Sequence, residues 1–98
     1  MTHADAHEPR AVNVQVLGEN LGRNFVLACR READDRLVTG WARCAQSSDQ
    51  SDLRVQGLGY QVEAFLGWLR AGVPGTRISR ILVTPTDREE CGDFLVLD

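Results

Sequence analysis

The stretch Val16-Leu17-Gly18-Glu19-Asn20-Leu21-Gly22-Arg23-Asn24-Phe25-Val26 contains a change of period. Before it, Val12, Val14 and Val16 alternate with Asn13 and Gln15, the pattern of a strand with one buried face. After it, Phe25, Ala28, Cys29 and Ala33 recur at helical spacing, with Arg30, Arg31, Glu32, Asp34 and Asp35 mostly elsewhere on the wheel. Asn24 is read as the N-cap of that helix, which is expected to end near Arg36. Gly18 and Gly22 frame the loop between strand and helix. Two glycines there are explained by a tight turn alone, yet the amides at a helix start also attract anions without help from side chains.

Outward from this stretch the chain alternates strands and helices. Leu37 to Ala45 reads as a second strand, with Val38, Gly40 and Ala42 on one face and Thr39, Trp41 and Arg43 on the other. Residues 46–52 are wholly polar and are expected at a solvated hairpin tip. Leu53 and Val55 alternate with Arg54 and Gln56 in a third strand ended by Gly57 and Gly59. Val62, Phe65, Leu66 and Leu69 form the i, i+3, i+4, i+7 stripe of an amphipathic helix lying on a sheet. Gly72-Val73-Pro74-Gly75 stops that helix. Ile78, Ile81 and Val83 mark a fourth strand whose uneven spacing implies a bulge near Ser79. After the acidic loop Asp87 to Asp93, Phe94 to Leu97 is a short closing strand. The order β-α-β-β-α-β-β makes two split βαβ halves, with both helices on one face of an antiparallel sheet of four to five strands.

Composition narrows the function. The chain of 98 residues is one domain, too small for a core plus a separate catalytic lobe. Residues 1–10 are polar and read as a disordered tail, with the domain spanning 11–98. The 14 acidic and 11 basic residues are spread along the chain without a basic run, which argues against nucleic acid as partner. No apolar stretch is long enough to cross a bilayer and the first ten residues lack a signal-peptide core, so a soluble, cytoplasmic protein is expected. Cys29, Cys44 and Cys91 have neither pairing nor metal-type spacing and are read as reduced thiols. His3 and His7, four apart in the tail, are not read as a metal site.

The element order and several local motifs together resemble the acylphosphatase family of ferredoxin-like α/β sandwiches. In that family the first strand enters a loop of the form V-x-G-x-V-Q-G-V-x-F-R, with which Val16, Gly18, Gly22 and Phe25 are in register. Gly40-Trp41 matches the Gly-Trp of the family's second strand, and Arg43 keeps the next basic position. Phe65-Leu66-Gly67-Trp68-Leu69, the Gly72 to Gly75 turn and Arg77 to Val83 match the second helix, its turn and the fourth strand.

The resemblance implies a two-layer α+β sandwich and the hydrolysis of carboxylic-phosphoric anhydrides. Loop amides and the arginine closing the motif hold the phosphoryl oxygens, while an asparagine after the Gly-Trp strand orients the attacking water. Carried over position by position, the arginine falls on Val26 and the asparagine on Cys44. Valine has no donor for phosphate, and a thiol is a weak substitute for an amide. Losing one preorganised donor typically costs on the order of 10²–10³ in rate. Within the loop the frequently basic position is Glu19, which opposes an anion's charge, and the V-Q pair is Asn20-Leu21.

Arg23 stands where the family has valine. It is either a substitute phosphate grip or a solvated arginine paired with Glu19. Cys44 has no histidine in the folded body to activate it and reads as a structural thiol. Trp41 and Trp68 are explained by packing.

The expected protein is therefore an acylphosphatase-like domain without ordinary activity. Its anion-binding loop is Gly18, Glu19, Asn20, Leu21, Gly22, Arg23, Asn24 and Phe25, and it binds a small anion such as phosphate or an acyl phosphate weakly, or a protein partner. No cofactor is called for. The rival reading is a slow acylphosphatase that grips phosphate through Arg23 or Arg43. A third is a structural partner subunit that assembles through a sheet edge or the hydrophobic rim.

Overall fold

The computed structural model describes residues 7–97, and the parts of the tail reading that fall on residues 1–6, His3 included, lie outside them. Strand β1 runs from Pro9 to Glu19, helix α1 from Arg23 to Arg36, and strands β2 and β3 from Thr39 to Cys44 and Gln50 to Leu58. Helix α2 spans Gly59–Ala71, followed by β4 at Arg77–Pro85 and β5 at Phe94–Leu97. The strands form one sheet in the order β4-β1-β3-β2-β5.

Alternation decides which face is buried. Val12, Val14 and Val16 of β1, Leu53 and Val55 of β3, and Ala42 of β2 are all at most 2% exposed and meet the helices. α1 lies over β2 and β5, and α2 over β3 and β1. The α2 stripe is fully buried at Val62, Phe65, Leu66 and Leu69, and each such side chain contributes about 1.5–3 kcal/mol. Gln61 Oε1 accepts the N–H of Leu58 at 2.9 Å and so ties down the start of α2.

The sheet is mixed, which corrects the antiparallel expectation. β5 runs parallel to β2, with Gly40 opposite Phe94 and Arg43 opposite Leu97. The cause is the path of the chain. β4 ends at one edge of the sheet, beside Ala11, whose carbonyl accepts the Thr86 N–H at 3.0 Å. Residues 86–93 then cross the same end of the sheet to the opposite edge, where Gly40 N–H donates to Asp93 O at 3.0 Å. A strand starting there runs back antiparallel to β4, and is therefore parallel to β2.

Several boundaries also move. Pro9 and Arg10, read as tail, open β1 opposite Leu58 and Gly57, and proline is tolerated at a strand's first residue. Arg10 pairs with Glu63 of α2. The second strand begins at Thr39, because Leu37 adopts a left-handed conformation (φ 62°) that closes α1. β3 begins at Gln50, inside the supposed hairpin tip. Ser51 is buried there because its hydroxyl donates to Arg43 O at 2.8 Å. The bulge expected in β4 is present: Leu17 faces Arg80 and Gly18 faces Ile78, leaving Ser79 as the extra residue, with its hydroxyl on Leu17 O at 3.0 Å.

Candidate functional site

The loop between β1 and α1 is shorter than its glycines imply. Gly18 and Glu19 belong to β1, paired with Ile78 and Arg77, so only Asn20, Leu21 and Gly22 connect strand to helix. Asn20 makes the turn in the left-handed region (φ 60°), which asparagine tolerates. Both glycines answer to close approach. A Cβ on Gly18 would lie 1.9 Å from Arg77 O, and one on Gly22 would lie 2.7 Å from Ser48 Oγ.

The β2–β3 turn holds this loop in place. Leu21 N–H donates to Ser48 O at 2.7 Å and Gly18 N–H to Asp49 O at 3.0 Å. Beneath the loop, Leu21 and Val26 are at most 1% exposed and join the core. Glu19 pairs with Arg77 at 3.6 Å rather than with the loop arginine as expected. Both of its partners are well exposed, so this contact adds little stability.

The N-cap of α1 lies two residues before Asn24, the cap expected from the sequence. Gly22 is the N-cap, its carbonyl accepting the Val26 N–H at 3.1 Å, and Asn24 is the second helical residue. A glycine cap offers no side-chain acceptor, and the first turn carries no acidic residue. The N–H groups of Gly22 to Phe25 have no intrahelical acceptor by helix geometry, and they carry the positive end of the helix dipole. Gly22, Arg23, Asn24 and Phe25, with Asn20, line a hollow of about 400 Å³ whose other lining residues are Pro74, Gly75 and Thr76. The sequence showed that second wall only as a helix stop, because nothing local in a Gly/Pro turn says what it faces.

Other expected site residues are dispersed. Val26 turns into the core, and half-buried Cys44 packs against the same core from the end of β2. Arg43 is not brought to the loop. It alternates onto the open face of the sheet, where its guanidinium lies over Trp41, 5.5 Å from the ring centroid. Trp68 packs on Phe65 at 5.6 Å between ring centroids. Cys29 is fully buried, and desolvation pushes its thiol pKa well up, the opposite of a reactive thiolate. His7 sits edge-on to Tyr60, with centroids 5.6 Å apart. Among the described residues, no three His, Cys, Asp or Glu side chains come together as a metal site. No helix among them is long and apolar enough to cross a membrane.

Two helices over one face of a sheet whose first four strands are ordered β4-β1-β3-β2 define a ferredoxin-like α/β sandwich. The family model for acylphosphatase matches residues 12–96, and the chain belongs to the acylphosphatase family. An acylphosphatase from Coxiella burnetii superposes with a TM-score of 0.82 at 25% identity, over 91% of this chain and 93% of that one. An acylphosphatase from Bacillus subtilis gives 0.81 at 21% identity, over 90% and 98%. Full-length HypF, in a phosphate- and nucleotide-bound form, gives 0.81 at 19% identity over 93% of this chain, but over only 12% of the longer one. A search of curated protein sequences finds no match.

Proposed function

We propose that this chain is a noncatalytic member of the acylphosphatase family that binds a small anion, phosphate or an acyl phosphate, at the start of α1. The observation that carries this reading is the contrast within one loop. No side chain caps the first turn of α1, and residues of that turn line a hollow. Meanwhile the positions where the family resemblance puts the phosphate-gripping arginine and the water-orienting asparagine are a buried valine, Val26, and a half-buried thiol, Cys44. The site retains backbone donors and lacks the side chains that turn binding into hydrolysis. Three free thiols fit a reducing, cytoplasmic setting.

Titration of the protein with inorganic phosphate, read by amide NMR, tests the binding half. The expected result is a saturable shift confined to Asn20 to Phe25 and Gly75 to Thr76, weakened in Arg23→Ala. Shifts spread over exposed arginines elsewhere, or none at all, would overturn it.

A further inference from the structure

The helices cover one face of the sheet, and the other face carries the side chains that alternate away from them. Cross-strand register sorts these into two adjacent rows. From β4 to β5, one row is Thr84, Asn13, Arg54, Trp41 and Leu95, and the next is Leu82, Gln15, Asp52, Arg43 and Leu97. All ten are exposed or half-buried, and those of β4, β1, β3 and β2 line one shallow hollow of about 440 Å³. Leu82 and Leu95, 37% and 55% exposed, leave apolar surface at opposite edges of the face.

Each row is the complement of the other. A two-fold axis in the plane of contact, parallel to the rows and midway between them, brings each row of one copy against the other row of a second copy. It sets Asp52 against Arg54, Arg43 against the Trp41 ring, Asn13 against Gln15 and Leu95 against Leu97, each of them twice by symmetry. An axis along the strands would instead set Asp52 on Asp52 and Arg54 on Arg54, and like charges placed face to face suppress that arrangement. Sheets packed face to face keep their strand directions within about 30° of each other, so the match is closest at the inner strands β1, β3 and β2.

Arg54 is already fixed in place for this pairing. Its Nη1 donates to Asp87 O at 2.7 Å, its Nε lies 2.8 Å from the Glu89 carboxylate, and the side chain is 12% exposed. A guanidinium has several further donors, so these contacts leave some for a second carboxylate. Both contacts come from the strap of residues 86–93, which is held on Gln56 at one end of this face. The strap carries Asp87, Glu89, Glu90 and Asp93 against a single Arg88. The same axis brings it toward the far end of the second copy, where the row is Arg80, Leu17 and Gln50. Acid again meets base.

We propose that the open face of the sheet is the interface of a symmetric dimer, in which a second copy of this chain packs on it with its strands antiparallel to those of the first. From strand spacing and rise the face measures about 24 by 20 Å. Two copies therefore cover roughly 1,000 Å², just below the range of stable interfaces, and the dimer forms at micromolar rather than nanomolar concentration.

Sedimentation equilibrium of the full chain, followed from low to high micromolar concentration, tests the proposal. The mass is expected to rise from 10.9 kDa toward twice that value. Asp52→Arg sets arginine against Arg54 and is expected to weaken the dimer about tenfold or more. Arg43→Glu replaces the cation over the second copy's Trp41 with an acid and is expected to weaken it about fivefold or more. Arg43 is exposed, so this variant keeps the fold and carries the test should Asp52→Arg not fold. A chain that stays at 10.9 kDa throughout overturns the proposal. So does a dimer that the folded variants do not weaken, because pairing through the edge strands β4 or β5 leaves Asp52 and Arg43, on inner strands, out of contact.

Discussion

At the residue scale, single atoms decide what the loop can hold. Gly18 is fixed by β4, since a Cβ there would overlap Arg77 O. Gly18→Ala is expected to cost about 1–3 kcal/mol as an overpacking change, measured as a lower urea midpoint with unchanged slope. Val26 is 1% exposed, so Val26→Arg places a guanidinium in the wall of the core and lowers stability. If the new side chain reaches the hollow, saturating phosphate should restore part of the melting temperature, because a ligand bound only by the native state stabilises it. Cys29 gives a pH dependence with a definite sign. Its thiol is raised in the folded state above its ordinary value of 9.0, so the unfolded chain loses that proton first as pH rises. Stability from the buried neutral thiol is full below about pH 8 and falls above 9. Cys29→Ala should flatten that alkaline decline in urea titrations, and a steeper decline would contradict it.

At the scale of elements, α2 and β1 were legible because each has one buried face and an unbroken period: 3.6 for Val62 to Leu69, and 2 for Val12 to Val16. The starts of β3 and α1 were not. Ser51 is polar and buried because a carbonyl across the ladder satisfies it, and the α1 cap is a glycine with no side chain to announce it. The crossing strap was legible only as an acidic loop. Its attachment depends on Gln56, a side chain 3% exposed. Gln56 Nε2 donates to Glu89 O at 2.5 Å, and its Oε1 accepts the Glu89 N–H at 3.2 Å. Arg54 Nη1 adds a bond to Asp87 O at 2.7 Å. Gln56→Ala leaves the Glu89 groups without these partners and is expected to cost about 1–3 kcal/mol. Amide exchange of Phe94 to Leu97 should accelerate more than that of β1, and equal acceleration of both would show that the strap is not a local latch.

At the scale of the molecule, the sheet separates what the sequence left together. Arg23 and Arg43 were rival phosphate grips by sequence, but alternation sends Arg43 to the open face with Trp41, while α1 and the loop hollow lie at the other face. Strand direction and chain path create this separation, and neither is written in any single motif. The family match over residues 12–96 accounts for the scaffold, and the proposed absence of turnover rests on Val26 and Cys44 standing where the resemblance puts an arginine and an asparagine. The most direct measurement is steady-state hydrolysis of a small aryl acyl phosphate by the wild-type protein beside the Val26→Arg, Cys44→Asn double variant. Background rates for the wild type, with turnover gained by the folded double variant, are expected. Wild-type turnover well above background would contradict the noncatalytic reading and make Arg23→Ala the next variant to assay.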